Sequence, residues 1–473
     1  MSREQNQQIS DIIQRFVHTY VTAIDDIRMK DVFNIAGPDT IARLRDIGFS
    51  GKGKAVEEVF EEMISNVYNH QAIMQHPRCF AFIPSPVSLL SWLGDIMTSA
   101  YNPHAGSWLQ SSAASFIEKE VIGWMCDLAG YSEISGGLFT SGGSISNLTA
   151  LAAARHVKLS EKEYTNGTAY VSSQTHSSVT KGLRILGFRT DQIRRIPSDD
   201  CFRMDMVALE KAVVADRKAG KKPFAVIATA GTTNTGSIDP LNEIADLCER
   251  HNIWLHVDGA YGASVLVSSK HNHLLEGISR ADSISWDAHK WLMQTYGCSA
   301  LLVKDRKHLR SCFSTASEYL KDATTDEEEM NYWDLGIELT RPARSLKLWL
   351  TMQVLGIDVV GAVIDHGFRL AEWAEDEIKQ HNHWEIISPA QLAIINFRYA
   401  PPGLSDKQQD SFNKRISQDV LKSGYASVLT TEINGRTVLR ICAIHPNTTE
   451  EEMRSTIRLV SQIARNLNGE APC

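Results

Sequence analysis

Short apolar runs alternate with amphipathic segments from about residue 120 to residue 305. TAYVSS, FAVIATAG, IWLHVDG, SISWDAH and SALLVKD each read as a buried strand. Between them, DMVALEKAVVADRKAG and PLNEIADLCERHN carry the three-to-four apolar spacing of helices. This alternation predicts βαβ units, and so an α/β fold with a mainly parallel central sheet and helices on both faces. Ligands bind such sheets beyond the carboxyl ends of the strands. The polar residues that follow each apolar run are therefore the candidates for chemistry.

The pattern changes on either side. Residues 1–72 hold amphipathic pieces, ISDIIQRFVHTYV and AVEEVFEEMISNVYNH, that predict a helical segment too thin to make a core alone, a helical extension or a dimerisation arm. Residues 73–347 form the large domain, and 348–473 return to helix, short strands (AIINFRYA, VLRICAI) and a last helix from about 449, the outline of a small α+β domain. Residues 313–336 interrupt the large domain with a polar, acidic stretch, read as a solvated loop or as a lid over a site.

Composition narrows the class. With 43% hydrophobic and 22% charged residues in a 473-residue chain, a sizeable core is expected. A net charge of −8 without a basic patch argues against a nucleic-acid partner. No apolar run reads as a membrane span, and MSREQNQQIS lacks the apolar centre of a signal peptide. The eight cysteines form no C-x-x-C pair and are read as reduced thiols, so the expected compartment is the cytoplasm. No metal site is predicted. The two HNH triplets, at 271–273 and 381–383, read as solvated loop histidines.

Several strand ends carry reactive groups. GGLFTSGGSISNLTALAAAR is a glycine-serine turn entering an alanine-rich helix, where Gly142, Gly143 and Ser144 could meet an anion. His176 follows one strand, Thr232 another, and Asp258, with Gly259 and Ala260 beside it, a third. Lys290 stands in SISWDAHKWL between Trp286 and Trp291, where an ammonium is costly unless it is paired or loses its charge. Each has a bland explanation: a tight turn, a hydrogen-bonded histidine, a paired carboxylate. Together they form the set needed for pyridoxal 5′-phosphate chemistry. The lysine forms a Schiff base, for which a desolvated site favours the free amine, the aspartate pairs with the pyridinium nitrogen, and the turn takes the phosphate.

SWDAHKW, HVDGAYG and QTHSSV resemble the group II pyridoxal-phosphate decarboxylases, a family that includes aromatic L-amino-acid, histidine and glutamate decarboxylases. The similarity runs from HPRCFAFIPSP to LRICAIHP and is greatest to bacterial tryptophan decarboxylases. The resemblance implies fold type I, an obligate homodimer with active sites at the interface, Lys290 as the Schiff-base lysine and Asp258 as the pyridinium partner. It places His176 and Ala260 on opposite faces of the ring, Thr232 near the ring, and Gly143, Ser144 and His289 at the phosphate. Many relatives have Asn-Pro where this chain has Asp287–Ala288, and a carboxylate there would repel the phosphate.

By the same resemblance, SEYLKD supplies the proton donor to Cα, Tyr319, on a mobile loop. Related aldehyde synthases carry phenylalanine there, so Tyr319 implies simple decarboxylation. HPRCFAFIPSP implies a pocket wall at Phe82, Pro84 and Ser85, and SAYNPHAGSW one at His104 and Gly106 contributed by the second subunit, with Trp333 beside them. Glycine at 106 in place of a bulky residue leaves volume for an indole, implying decarboxylation of tryptophan to tryptamine, with phenylalanine or tyrosine also accepted. His104 and Trp333 could equally be packing residues of the dimer interface. The alternatives are another decarboxylase, an aldehyde synthase or an aminotransferase of the same fold, or a non-catalytic binding protein.

Overall fold

The computed structural model describes residues 2–48, 51–84, 86–314 and 329–469. Seven strands form the central sheet: β1 (Gly136–Thr140), β2 (Gly167–Ser172), β3 (Ile193–Ile196), β4 (Lys222–Thr229), β5 (Trp254–Asp258), β6 (Ser283–Asp287) and β7 (Ser299–Val303). Their order is β1-β7-β6-β5-β4-β2-β3. Neighbours from β6 through β5, β4 and β2 to β3 are parallel, whereas β7 runs antiparallel to both β6 and β1. The sheet is thus mixed at one side. The connection 288–298 between β6 and β7 contains no crossover helix, so the chain folds back as an antiparallel pair. Lys290 lies in this connection.

Both faces of the sheet are covered, as the strand alternation requires. On β4, Val226 and Ala228 pack with Leu209, Val213 and Ile244 of two helices on one face. Ala225 and Ile227 pack with Leu151, Val179 and Leu183 on the other. The second face is formed by helix Gly143–Lys158, whose Ala150, Ala153 and Ala154 are fully buried. Small side chains let this helix lie close to the strands, which brings its first turn to their carboxyl ends.

β1, which the sequence pattern did not separate from the turn after it, is anchored by a buried ion pair. Glu118, on helix Trp108–Leu128, meets Arg341 in a two-pronged contact at 2.7 and 3.0 Å. Glu118 also accepts the Phe139 N–H at 2.8 Å, and Arg341 donates to the Phe139 carbonyl at 2.6 Å. Every charge in this dry contact thus has a hydrogen-bonded partner. Arg341 also lies over Tyr332, which is buried in an apolar cluster with Leu335. Residues 331–336 are therefore packed rather than a solvated loop.

A second, antiparallel sheet of order β10-β11-β9-β8 builds the small C-terminal domain: β8 (Trp384–Gln391), β9 (Ile394–Tyr399), β10 (Leu429–Ile433) and β11 (Arg436–Cys442). Leu439 and Ile441 face helices Asp406–Lys422 and Glu450–Asn468 through Ile416, Val420, Met453 and Ile457. The period of two then turns Arg440 to the opposite face. Helix Ser345–Ile378 joins the two parts and bends at Gly356, whose φ of +74° interrupts helical geometry. By length and composition it could cross a membrane, but Asp358 and Asp365 interrupt its apolar run. It places Leu348, Val360 and Ile364 in the large core and Leu370 and Ala374 in the small one.

The N-terminal segment folds as helices Arg3–Asp25, Pro38–Ile47 and Val56–Met63. His271 is not a solvated loop residue: its ring stacks on Phe368 at 3.8 Å and faces Asp365.

Candidate active site

The ends of β1, β2, β4, β5 and β6 open into one cavity of about 620 Å³. Gly142, Gly143 and Ser144 line it from the first turn of helix Gly143–Lys158. No side chain caps that helix start. The turn is fixed from beneath by a hydroxyl chain, Thr140 Oγ1 to Ser146 Oγ at 2.8 Å and Ser146 Oγ to Ser299 Oγ at 2.9 Å. Its unpaired amides and the helix dipole favour an anion here.

Asp258 ends β5 and is 5% exposed. One carboxylate oxygen accepts from Ser285 Oγ and from the Ala260 N–H, both at 3.2 Å. The other accepts from Asn147 Nδ2 at 3.0 Å. Asn147 also donates to Ser178 Oγ at 3.1 Å, and its own carbonyl pairs with His256 Nε2 at 2.9 Å. Burial lowers the His256 pKa to about 4, so the ring is neutral. Its Nδ1 faces Ser283 Oγ at 2.8 Å, which already receives the Trp254 indole N–H at 2.9 Å. The Asp258 carboxylate can only accept, so the Asn147 NH₂ faces it and the Asn147 carbonyl receives the His256 Nε2–H, which leaves Nδ1 of the neutral ring to accept from the Ser283 hydroxyl.

His176 is joined to the same group. It is the N-cap of helix Ser177–Ile185, and its Nδ1 accepts from the Ser178 N–H at 3.2 Å and pairs with Ser178 Oγ at 2.8 Å. With Nδ1 accepting, the ring hydrogen sits on Nε2. Asn147, Ser178, Ser285 and His256 escaped the sequence reading because no local pattern marks them. Only Asn147 had a cue, one helical turn beyond the glycine-serine turn.

Lys290 lies at the cavity with its side chain about a quarter exposed, and its Nζ is 3.0 Å from Asp287 Oδ2. Burial disfavours the ammonium, but Asp287 and Asp258 outweigh it and raise the pKa above the ordinary lysine value. Without cofactor the two carboxylates thus oppose the loss of charge that desolvation favours. Trp291 locks the turn, stacked on Tyr261 at 5.0 Å. Trp286 is buried beneath it and donates to Ser264 Oγ at 3.0 Å. His289 also lines the cavity, with Nδ1 at 2.8 Å from the Cys298 carbonyl. Its pKa is lowered by burial.

The small domain closes the far wall with Leu429, Thr430, Thr431 and Arg440. Arg440 is 7% exposed and donates from Nη1 to the Phe82 carbonyl at 2.7 Å, while its Nε and Nη2 have no hydrogen-bond partner among the described residues. Burial lowers its pKa. Arg440 thus brings a buried guanidinium with two unsatisfied donors to the cavity wall, and its positive charge suits an anionic group of a ligand. The sequence reading passed over it.

Other expected site residues fall elsewhere. Ala260 and Phe82 line the cavity, but Pro84 does not. Thr232 is fully buried, with Oγ1 bonded to Thr235 and Ser237 at 2.7 and 2.9 Å; its neighbours Gly231 and Thr233 take the cavity positions. The turn after β4 presents its neighbours because the Thr232 hydroxyl is needed to close the turn. His104, Gly106 and Trp333 form a separate cluster, with the His104 and Trp333 rings 6.1 Å apart and the Trp333 N–H on the Gly106 carbonyl, and none of the three lines the cavity of its own chain. Tyr319 and Ser85 lie outside the described residues.

The residues present fit pyridoxal phosphate. One cavity of sufficient volume gathers a primary amine, a held carboxylate, an imidazole and an uncapped helix start. Gly143 leaves the necessary room, since a Cβ there would lie 3.2 Å from the Ala260 methyl and 2.9 Å from Asp287 Oδ2.

Comparison with known proteins agrees. The chain is 38% identical over 459 residues to the aromatic-L-amino-acid decarboxylase of Bacillus atrophaeus, covering 97% of this chain and 95% of that one. It is 30% identical to L-2,4-diaminobutyrate decarboxylase of Acinetobacter baumannii, over 87% and 84% of the two chains. The structure superposes on Oryza sativa TDC with PLP and tryptamine at a TM-score of 0.93 and 27% identity, over 99% of each chain. Residues 38–400 match the pyridoxal-dependent decarboxylase conserved domain, and the chain belongs to that family, as a carboxy-lyase of fold type I that uses pyridoxal 5′-phosphate.

Proposed function

We propose that the chain removes carbon dioxide from an aromatic L-amino acid and that tryptophan, giving tryptamine, is the preferred substrate. The observation that carries the aromatic reading is the 38% identity to an aromatic-L-amino-acid decarboxylase over 97% of the chain. The relative crystallised with tryptamine supports the indole. In this reading Lys290 would hold the cofactor covalently, Asp258 would pair with its ring nitrogen, Gly143 and Ser144 with His289 would receive its phosphate, and His176 and Ala260 would flank its ring. Bound there, pyridoxal phosphate supplies an electron sink for the bond that breaks.

The protein's own residues choose that bond. Arg440, a cation on the cavity wall, draws the substrate carboxylate toward it and so biases the rotation about the Cα–carboxyl bond. His176 presents Nε2–H to the cavity, and its Nδ1 is fixed by Ser178, whose hydroxyl is in turn held by Asn147. Tyr319 gives the proton to Cα after carbon dioxide leaves.

Two copies complete the site in this reading, with residues 1–72 as the dimerisation arm. Exposed apolar side chains on helix Leu89–Tyr101, namely Leu93, Met97 and Tyr101, are suited to cover by a second chain. His104 and Trp333 lie just beyond them and would reach the partner's cavity, whereas Gly106 is buried, with the Leu339 carbonyl and the His104 ring filling the space a side chain would take. Unpaired cysteines among the described residues suit a cytoplasmic location. Purified enzyme given tryptophan, phenylalanine, tyrosine, dihydroxyphenylalanine and 2,4-diaminobutyrate, with amine and carbon dioxide measured, tests the reading. The highest kcat/KM is expected for tryptophan, and preference for a catechol or for diaminobutyrate refutes it.

A further inference from the structure

Asp287 is the one cavity carboxylate to which the proposed chemistry gives no task. It ends β6 and is 2% exposed. Its Oδ2 meets Lys290 Nζ at 3.0 Å and His289 Nε2 at 3.6 Å. Its Oδ1 is buried with no hydrogen-bond partner among the described residues. A Cβ added to Gly143 would stand 2.9 and 3.1 Å from the two carboxylate oxygens, so the carboxylate lies directly against the first residue of helix Gly143–Lys158. That start has no side-chain cap. Two independent features, an anion-favouring helix terminus and an unpartnered buried oxygen aimed at it, meet at one point.

We propose that Asp287 is a resident anion at the Gly142–Ser144 turn, which competes with the phosphate of an incoming ligand and thereby weakens its binding. The inference rests on reading that turn as the phosphate site. The neighbouring charges do not cancel the effect. Lys290 is the cation in contact, and Asp258 adds a second negative charge that also acts on it. His289 has a lowered pKa through burial, and Arg440 stands on the opposite wall with its Nη1 engaged by Phe82. His176 is held by Ser178. An arriving phosphate therefore meets a carboxylate where a helix start would otherwise welcome it, and it must share Lys290 with that carboxylate. Removing the Asp287 charge while keeping its shape frees both the turn and the ammonium.

The test compares cofactor-free wild-type protein with Asp287→Asn, titrated with inorganic phosphate in a calorimeter and with pyridoxal phosphate by absorbance. Asp287→Asn is expected to bind inorganic phosphate at least tenfold more tightly. Asp287→Ser serves as a second variant should the amide misfold, with the same expected sign. Equal or weaker phosphate binding in the folded variant overturns the inference, as does the absence of phosphate binding to both proteins. Failure of the wild-type chain to bind pyridoxal phosphate at all refutes the functional reading instead, so the two failures are distinct.

Discussion

Replacing Asn147 by leucine tests the hydrogen-bonded group under the cavity. Asn147 is 1% exposed, and leucine keeps its branching but is larger, so the change deletes polar contacts and leaves no cavity. Three bonds go: to Asp258 Oδ2 at 3.0 Å, to Ser178 Oγ at 3.1 Å, and from His256 Nε2 at 2.9 Å. The buried His256 N–H is then left without a partner, which costs about 1–3 kcal/mol, and losing a bond to a charged carboxylate costs about 1.5–3 kcal/mol. Asp258 retains Ser285 and the Ala260 N–H, so the lower half of these ranges applies, and the sum is about 3 kcal/mol. Urea unfolding of the cofactor-free protein measures it. A double-mutant cycle with His256→Leu isolates the orphaned N–H, and coupling of about 1 kcal/mol or more is expected because the second change removes the unsatisfied donor. A second readout is affinity for pyridoxal phosphate, expected to fall at least tenfold as Asp258 and His176 lose their shared support. A stability loss under 1 kcal/mol, or strict additivity in the cycle, refutes the reasoning.

Acid should destabilise the fold below pH 6.5, with part of the loss offset by buried Asp239, whose pKa is raised to about 6 and which takes up a proton in the folded state. His76, His256 and His445 each have a pKa lowered by burial to about 4, so the unfolded chain binds more protons between pH 4 and 6.5. Stability is full above pH 6.5 and is lost as pH falls toward 4, with up to about 3 kcal/mol per histidine from a shift of about 2.5 units. A thermal midpoint that stays flat from pH 6.5 to 4.5 would contradict this. Arg440→Leu should raise KM for the amino acid at least tenfold while pyridoxal phosphate is still bound, and an unchanged KM removes the arginine from substrate binding. Tyr319→Phe should lower amine yield and raise aldehyde, hydrogen peroxide and ammonia; an unchanged product profile refutes the tyrosine's role as proton donor.

The central βαβ alternation was legible in the sequence, and so were the strand ends bearing Asp258 and Lys290. Both are local properties: a buried strand is a continuous apolar run, and the residue that ends it is necessarily at the sheet's edge. His176 was legible as the residue before a helix, and Gly143 as the start of another. The tertiary structure decided the partners. β7 turns antiparallel, because 288–298 is folded as a lysine-bearing turn with no crossover helix. Asn147 reaches Asp258 across 111 residues of chain, and Arg440 reaches Phe82 across 358. Such separations leave no periodic trace, since contact between them depends on strand order and domain packing. Thr232 shows the converse. Its position after β4 was readable, but the turn's own hydrogen bonds drew the hydroxyl inward. The surroundings of Lys290 were decided the same way: the sequence by itself determined that an amine would stand at a strand end, and only the folded chain brought Asp287 to 3.0 Å and Asp258 near enough to raise its pKa against the effect of burial.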